Sequence, residues 1–144
     1  MNARAVTPLA WPSDAVLTMP GSKSSANRLL VIAAMAGHPV TVRGVTASDD
    51  VLRLVTGLRT LGFAIQHDVA AGTVQVAPRP EGAPDRGVLD CGNAGTALRF
   101  LTSVAALTPG EWTLTGNAAM QRRPIAPLVD AWRQLGVAMQ ATAG

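Results

Sequence analysis

Apolar and polar residues follow two different periods along the chain, and these periods separate predicted helices from predicted strands. Residues 24–36 carry apolar side chains on most faces behind a run of serines, which predicts a largely buried helix. Residues 40–45 alternate with a period of two, as in a strand. Residues 48–62 begin with Ser-Asp-Asp, which we expect to cap a helix, and end at a glycine. The apolar stripe of this helix consists of Val51, Leu54, Val55, Leu58 and Leu61.

The remaining pattern continues in short elements. Strands are predicted at 63–67 and 73–77, joined by a turn at 70–72. The second half of the chain is predicted to contain, in order, a helix at 95–107, a strand at 112–116, a helix at 125–135 and a strand from Val137.

An internal repeat relates the two halves. The segment GSKSSANR, which begins at Gly21, aligns with GNAGTALR, which begins at Gly92, at an offset of 71 residues. One unit covers about 21–85 and the second about 86–144, and the second unit ends without a match for the strand at 73–77. We therefore expect a truncated part of a longer protein, because an unpaired repeat leaves an open edge. A natural protein with an imperfect second copy is the alternative.

Composition excludes some classes of function. The 144 residues are 48% hydrophobic with no apolar run of about 18 residues, which predicts a globular, cytoplasmic protein without a signal peptide. One cysteine and two histidines provide no disulfide within the chain and no metal cluster, so we expect no metal and no cofactor. The net charge of +3 suggests an anionic partner. The arginines are scattered and aromatic residues are few, which favours a small anion over nucleic acid, although composition bias alone would explain the charge.

Candidate chemistry lies at the starts of the two repeated helices. Each follows a glycine turn and carries an arginine in its second turn, Arg28 or Arg99. Helix N-termini attract anions, and Lys23, the only lysine of the chain, precedes the first helix, so we predict that it binds an oxyanion. The pattern is not a Walker phosphate loop, and an ordinary capping turn is the alternative. A third cluster, Arg122-Arg123 before a proline, is either an anion site or a solvated pair.

These three motifs together resemble one family. PGSKSSANR, LDCGNAGTALRF and LTGNAAMQRRPIAPLVDAW, in this order and spacing, resemble the N-terminal part of the 5-enolpyruvylshikimate-3-phosphate synthases over about residues 15–142. The resemblance implies an α/β (α+β) fold of the enolpyruvyl transferase type, in which two domains each contain three βαβαββ units around buried helices. Residues 21–144 would form two units of one such inside-out α/β domain, and residues 1–20 would belong to or cross over to the second domain.

The resemblance also implies an activity and a site. The family transfers the enolpyruvyl group of phosphoenolpyruvate to shikimate 3-phosphate in aromatic amino acid (chorismate) biosynthesis, and glyphosate would compete with phosphoenolpyruvate. The implied partners are these two small molecules, without a cofactor, nucleic acid or membrane. Shikimate 3-phosphate would be held by Lys23, Ser24 and Arg28. Phosphoenolpyruvate would be held by Lys23, Asn93, Gly95 (through its backbone N–H), Thr96 and Arg123. Arg99 would have a structural role.

Departures and alternatives accompany the resemblance. Phe100 and Ala119 depart from the family pattern, but neither is an implied ligand contact. The related UDP-N-acetylglucosamine enolpyruvyl transferases have a cysteine in the loop before Arg-Pro, where this chain has GNAAMQRRP. A non-catalytic anion- or RNA-binding module of the same fold is a further alternative. The family's acid and base groups belong to the distal part, so we expect the chain alone to be inactive.

Overall fold

A computed structural model describes residues 19–142, together with Ala5, Thr7, Asp14 and Val16. The predicted leading segment, residues 1–20, therefore lies almost entirely outside the described residues. The helices of eight residues or more are α1 (Lys23–Met35), α2 (Asp49–Thr60), α3 (Gly95–Ala106) and α5 (Ala126–Gln134), and the short helix α4 spans Ala118–Gln121. The strands are β1 (Val40–Arg43), β2 (Ala64–Asp68), β3 (Thr73–Ala77), β4 (Arg86–Asp90) and β5 (Glu111–Thr115).

The strands form two small sheets. In the first sheet β3 lies between β1 and β2 and is antiparallel to both, with Val42 opposite Val74 and Ile65 opposite Val76. In the second sheet β4 and β5 are parallel, as expected for two strands joined by a crossover helix, here α3. The alternating burial of β3, with Val74 and Val76 inside, explains why its apolar residues occur at every second position.

The helices pack together into one core with the inner faces of both sheets. The predicted stripe of α2 is confirmed, because its five apolar residues are all buried. Helix α2 lies between α1 and α3 and also packs on β4. Gly57 of α2 allows the close approach to α3, since a β-carbon there would meet the side chain of Leu101. The two halves of the chain therefore share a single hydrophobic core.

Helix α1 is less buried than its sequence predicts. Its inner face, with Leu30 and Ala33, is buried, but Leu29, Ile32 and Met35 are exposed. The prediction of a largely buried helix was therefore wrong for this outer face. Periodicity does not show how many neighbours a wholly apolar helix has, and among the described residues the neighbours of α1 cover only one side.

One further expectation, the strand from Val137, also differs from the structure. No strand occurs at 137–142, because within the described residues this segment pairs with no strand and the Met139 carbonyl accepts a hydrogen bond from Arg133 instead. The order helix, strand, helix recurs as α1-β1-α2 and α3-β5-α5, but the complete βαβαββ unit stays a prediction. Strand β4 and helix α4 were not predicted.

None of the helices in the described part of the chain is long and apolar enough to span a membrane.

Candidate functional site

The start of α1 combines a capped turn with three polar side chains. The hydroxyl of Ser22 accepts a hydrogen bond from the backbone N–H of Ser25, which confirms the predicted serine cap. One turn into the helix, Arg28 donates from Nη1 to Oγ of Ser24 at 2.7 Å and to the Ser24 carbonyl at 3.1 Å. The residues predicted to hold shikimate 3-phosphate, Lys23, Ser24 and Arg28, are thus exposed together at one helix start.

Lys23 has a partner that the sequence did not reveal. Its Nζ lies 3.4 Å from Oδ2 of Asp50 in the first turn of α2. Asp49 and Asp50 were expected to cap α2 together with Ser48, but Ser48 is the N-cap residue and its side chain makes no capping hydrogen bond. The two aspartates instead occupy the first turn, where carboxylates interact favourably with the helix dipole, and each also pairs with a basic side chain.

The start of α3 is formed by residues 92–95, here called the 92–95 loop. Gly92 has a φ of +52°, a conformation that glycine adopts without strain, and it turns the chain from β4 into the helix. The Gly95 N–H donates to the Asn93 carbonyl at 3.1 Å. The contact of this N–H with a ligand stays a prediction. Among the described residues, the N–H groups of Thr96 and Ala97 meet no backbone acceptor, as is usual in the first turn of a helix.

The side chain of Arg123, which follows the short helix α4, contacts the 92–95 loop. Asn117 caps α4 by accepting a hydrogen bond from the Met120 N–H at 2.9 Å, and buried Met120 anchors α4 in the core. The chain then leaves α4 so that Arg123 Nη2 donates to Asn93 Oδ1 at 2.9 Å. A β-carbon at Gly95 would lie 2.5 Å from Arg123 Nη1, so with any other residue here the end of the Arg123 side chain would have to shift.

Arg99, which lies in α3, also links the start of this helix to the segment that contains Arg123. Its Nη1 donates to the Gly95 carbonyl at 3.1 Å and its Nη2 to the Pro124 carbonyl at 3.2 Å. The two hydrogen bonds join the first turn of α3 to the residue that follows Arg123. This geometry agrees with the structural role expected for Arg99.

Helix α2 connects the two helix starts. Asp50 contacts Lys23 at the start of α1. One turn further along α2, Arg53 Nη1 contacts Asp90 Oδ2 at 2.7 Å, two residues before the 92–95 loop. Because three residues along a helix separate side chains by one turn on the same face, Asp50 and Arg53 project from one face of α2. The start of α1 and the end of β4, which leads into the 92–95 loop, therefore both contact this face of α2.

Arg53, Asp50 and Asp90 were missed as site residues by the sequence analysis. Asp90 had a usable signal, because an aspartate two residues before a glycine commonly accepts that residue's N–H in a turn. This hydrogen bond, from Gly92 N to Asp90 Oδ1, is 2.8 Å long and, aided by Arg53, lowers the pKa of Asp90 below its usual value. In the described part of the chain, no group of three histidine, cysteine or acidic side chains could hold a metal ion.

Cys91, which precedes the 92–95 loop, is buried. Burial, together with the neighbouring Asp90 carboxylate, raises the pKa of its thiol to about 11. We expect Cys91 to react slowly with a disulfide reagent at pH 8 and fully after denaturation. Since the unfolded thiol ionises first, the stabilisation from the protonated thiol should be lost as pH rises from about 9 to about 11. Equal reaction rates before and after denaturation would contradict this burial.

Comparison with known proteins places these motifs in context. The family model described as EPSP synthase (3-phosphoshikimate 1-carboxyvinyltransferase) matches residues 12–144. A 3-phosphoshikimate 1-carboxyvinyltransferase from Opitutus terrae is 36% identical over 140 residues, 95% of this chain and 32% of the relative. One from Shewanella denitrificans is 41% identical over 128 residues, 88% of this chain and 30% of the relative. The chain thus spans about a third of the length of these relatives.

The fold agrees with this match. A solved EPSP synthase from Acinetobacter baumannii superposes with a TM-score of 0.73 at 24% identity, over 88% of this chain and 29% of the solved chain. The family model covers every residue that forms the two helix starts and the segment around Arg123. From its sequence match and its mixed α/β fold, the chain belongs to the EPSP synthase family.

Proposed function

We propose that the chain forms one side of the active site of a 3-phosphoshikimate 1-carboxyvinyltransferase. The observation that carries the proposal is the meeting of Asn93, Gly95 and Arg123 at the start of α3. Helix α2 links this region to Lys23 through Asp50 and Arg53. The reaction joins the 5-hydroxyl oxygen of shikimate 3-phosphate to C2 of phosphoenolpyruvate and releases inorganic phosphate. Both substrates are anionic, which suits two neighbouring helix starts with basic side chains.

Phosphoenolpyruvate is assigned to the start of α3. The Arg123 guanidinium offers a planar pair of donors for a carboxylate or phosphate, and its hydrogen bond to Asn93 fixes one of its nitrogens in advance. The exposed Thr96 lies in the first turn, where the N–H groups and the helix dipole favour an anion. The absence of a side chain at Gly95 lets the Arg123 guanidinium lie directly against the start of α3. Glyphosate, an anion, is expected to compete here.

Shikimate 3-phosphate is assigned to the start of α1. Arg28 and Ser24 already contact each other, so a phosphate group placed there would receive donors from both side chains. Lys23 lies at the helix start and is half exposed, which leaves it able to turn from Asp50 towards either substrate. Asp50 holds the ammonium group near this position until an anion competes for it.

The remainder of the active site is assigned to the part of the relatives that this chain does not span. We propose that residues 21–144 are two units of one domain, that residues 1–20 cross over to the second domain, and that the distal part supplies the acid and base groups. The chain needs no cofactor in this scheme and works in the cytoplasm. Alone, it should bind the substrates without turning them over.

Titration of the ¹⁵N-labelled chain tests the assignment. Shikimate 3-phosphate should shift the amide signals of Ser24, Ser25 and Arg28, and phosphoenolpyruvate should shift those of Thr96 and Arg123. A short single-stranded RNA is the comparison ligand and should shift neither group. Shifts by RNA in place of the two substrates would replace the transferase proposal with a nucleic-acid one, and product formation by the chain alone would refute the division of the active site.

Complementation tests the same proposal in cells. Co-expression of the chain with the distal part of such an enzyme should restore growth of a host that lacks this transferase on medium without aromatic amino acids. The distal part alone and the chain alone serve as controls and should not restore growth. Failure of the pair, with both parts present and folded, would count against the proposed function.

A further inference from the structure

Arg53 and Asp90 form an ion pair that the proposed substrate contacts do not use. Arg53 Nη1 lies 2.7 Å from Asp90 Oδ2, and the same guanidinium lies 3.6 Å from Asp49 Oδ1. The other carboxylate oxygen of Asp90, Oδ1, accepts the Gly92 N–H at 2.8 Å. Asp90 therefore joins a side chain of α2 to the backbone that begins the 92–95 loop.

Gly92 is the point where this ion pair meets the elements around Arg123. A β-carbon built at Gly92 would lie 3.0 to 3.1 Å from three atoms of the Arg53 guanidinium, so this group covers the glycine. The Gly92 carbonyl accepts the Asn117 N–H at 2.9 Å, and Asn117 caps the short helix that leads to Arg123. A shift of Gly92 would thus move both the loop and the support of the arginine.

We propose that Arg53 and Asp90 are positioning residues, which hold the 92–95 loop and Arg123 in register and so set the affinity for phosphoenolpyruvate. The inference rests on the proposed function of the α3 start. Neither residue contacts the substrate; they act through Gly92, Asn93 and Asn117. Among the described residues, no hydrogen bond or ion pair joins Arg53 or Asp90 directly to Lys23, Ser24 or Arg28. The affinity for shikimate 3-phosphate should therefore not change when Asp90 is replaced.

Because the Arg53–Asp90 pair is exposed, its loss should change the position of the 92–95 loop more than the stability of the fold. The side chains of Arg53 and Asp90 are 37% and 58% exposed, and ion pairs this open contribute little to the stability of a fold. Gly92, in contrast, depends on the carboxylate to satisfy its N–H in a turn of positive φ. Removing the carboxylate therefore loosens the loop while the core, which lies beneath it, stays packed.

Asp90→Ala and Asp90→Asn are the test variants, measured in the 144-residue chain by titration with phosphoenolpyruvate and separately with shikimate 3-phosphate. Asp90→Ala should weaken phosphoenolpyruvate binding about three- to tenfold, the effect of a lost backbone hydrogen bond. Asp90→Asn keeps an acceptor for Gly92 and should fall between Asp90→Ala and the parent. Asp49→Asn is the matched control, because it removes the other carboxylate near Arg53 without touching the loop.

Each outcome decides the inference. Selective loss of phosphoenolpyruvate affinity, with faster hydrogen exchange at Gly92 and Asn117 and an unchanged melting temperature, supports it. Unchanged phosphoenolpyruvate affinity in Asp90→Ala, or equal weakening of both ligands, overturns it while leaving the proposed function in place. If the parent chain binds neither ligand, the proposed function fails, and the positioning role fails with it.

Discussion

Replacing Arg123 by alanine is expected to weaken the binding of phosphoenolpyruvate to the chain about 10- to 100-fold, the effect of losing a charge-assisted hydrogen-bonding group. The physical reason is its placement. Asn93 holds the guanidinium at 2.9 Å beside Gly95, where it faces the first turn of α3. Arg99, the other arginine beside Gly95 in the described part of the chain, does not take this place because it is engaged with the Gly95 and Pro124 carbonyls.

Arg122 provides a matched control for this variant. It is the adjacent residue, carries the same charge and is exposed, but its side chain makes no hydrogen bond or ion pair with another described residue. Arg122→Ala should therefore change the affinity less than about threefold, as expected for long-range charge screened by salt. Titration followed by amide shifts at Thr96 measures both variants. Similar losses in the two would mean that net charge, and not the geometry at Asn93, attracts the ligand.

Replacing Leu58 by alanine is expected to lower the free energy of unfolding by about 2–5 kcal/mol, the range for deleting a large buried aliphatic side chain. Leu58 is fully buried in α2, the helix that packs on both α1 and α3. The cavity would therefore open where the two halves of the chain share their core. Since small domains have about 5–15 kcal/mol of stability, the loss should be large enough to shift the urea midpoint clearly.

Leu52 on the same helix is the control for the core variant. It is 40% exposed, and Leu52→Ala changes the same side chain in the same helical context. Its effect on the unfolding free energy should stay within about 0.5 kcal/mol, as for most surface substitutions. Urea unfolding followed by circular dichroism compares the two. Equal midpoints would show that α2 does not form the shared core.

The sequence predicted well those elements whose pattern of apolar and polar residues shows which of their sides is buried. Helix α2 has one buried stripe and a terminal glycine, and the structure places its ends within two residues of the expected ones. The hairpin of β2 and β3 was also found, because its alternation and its glycine turn are local signals. These features follow from side-chain periodicity, which is visible in the sequence without the structure.

The elements that the sequence did not predict correctly depend on partners that are distant in the chain. Strand β4 is short, starts with Arg86-Gly87 and exists because it pairs in parallel with β5, 25 residues later. Residues from 137 have a strand-like sequence but no partner among the described residues. The exposed side of α1 was missed for the same reason, since its apolar residues do not tell which neighbours cover them.

The chain sequence by itself determined the two glycine-led helix starts, the basic residues near them and the family, because motif order and spacing are local properties of the polypeptide. Only the tertiary structure decided that Asp50 pairs with Lys23, that Arg53 and Asp90 support the 92–95 loop, and that Arg123 faces Gly95. These contacts join residues that are 27 to 37 positions apart in sequence. Tertiary packing, around α2 for the first two and through α4 with its buried Met120 for Arg123, brings them together.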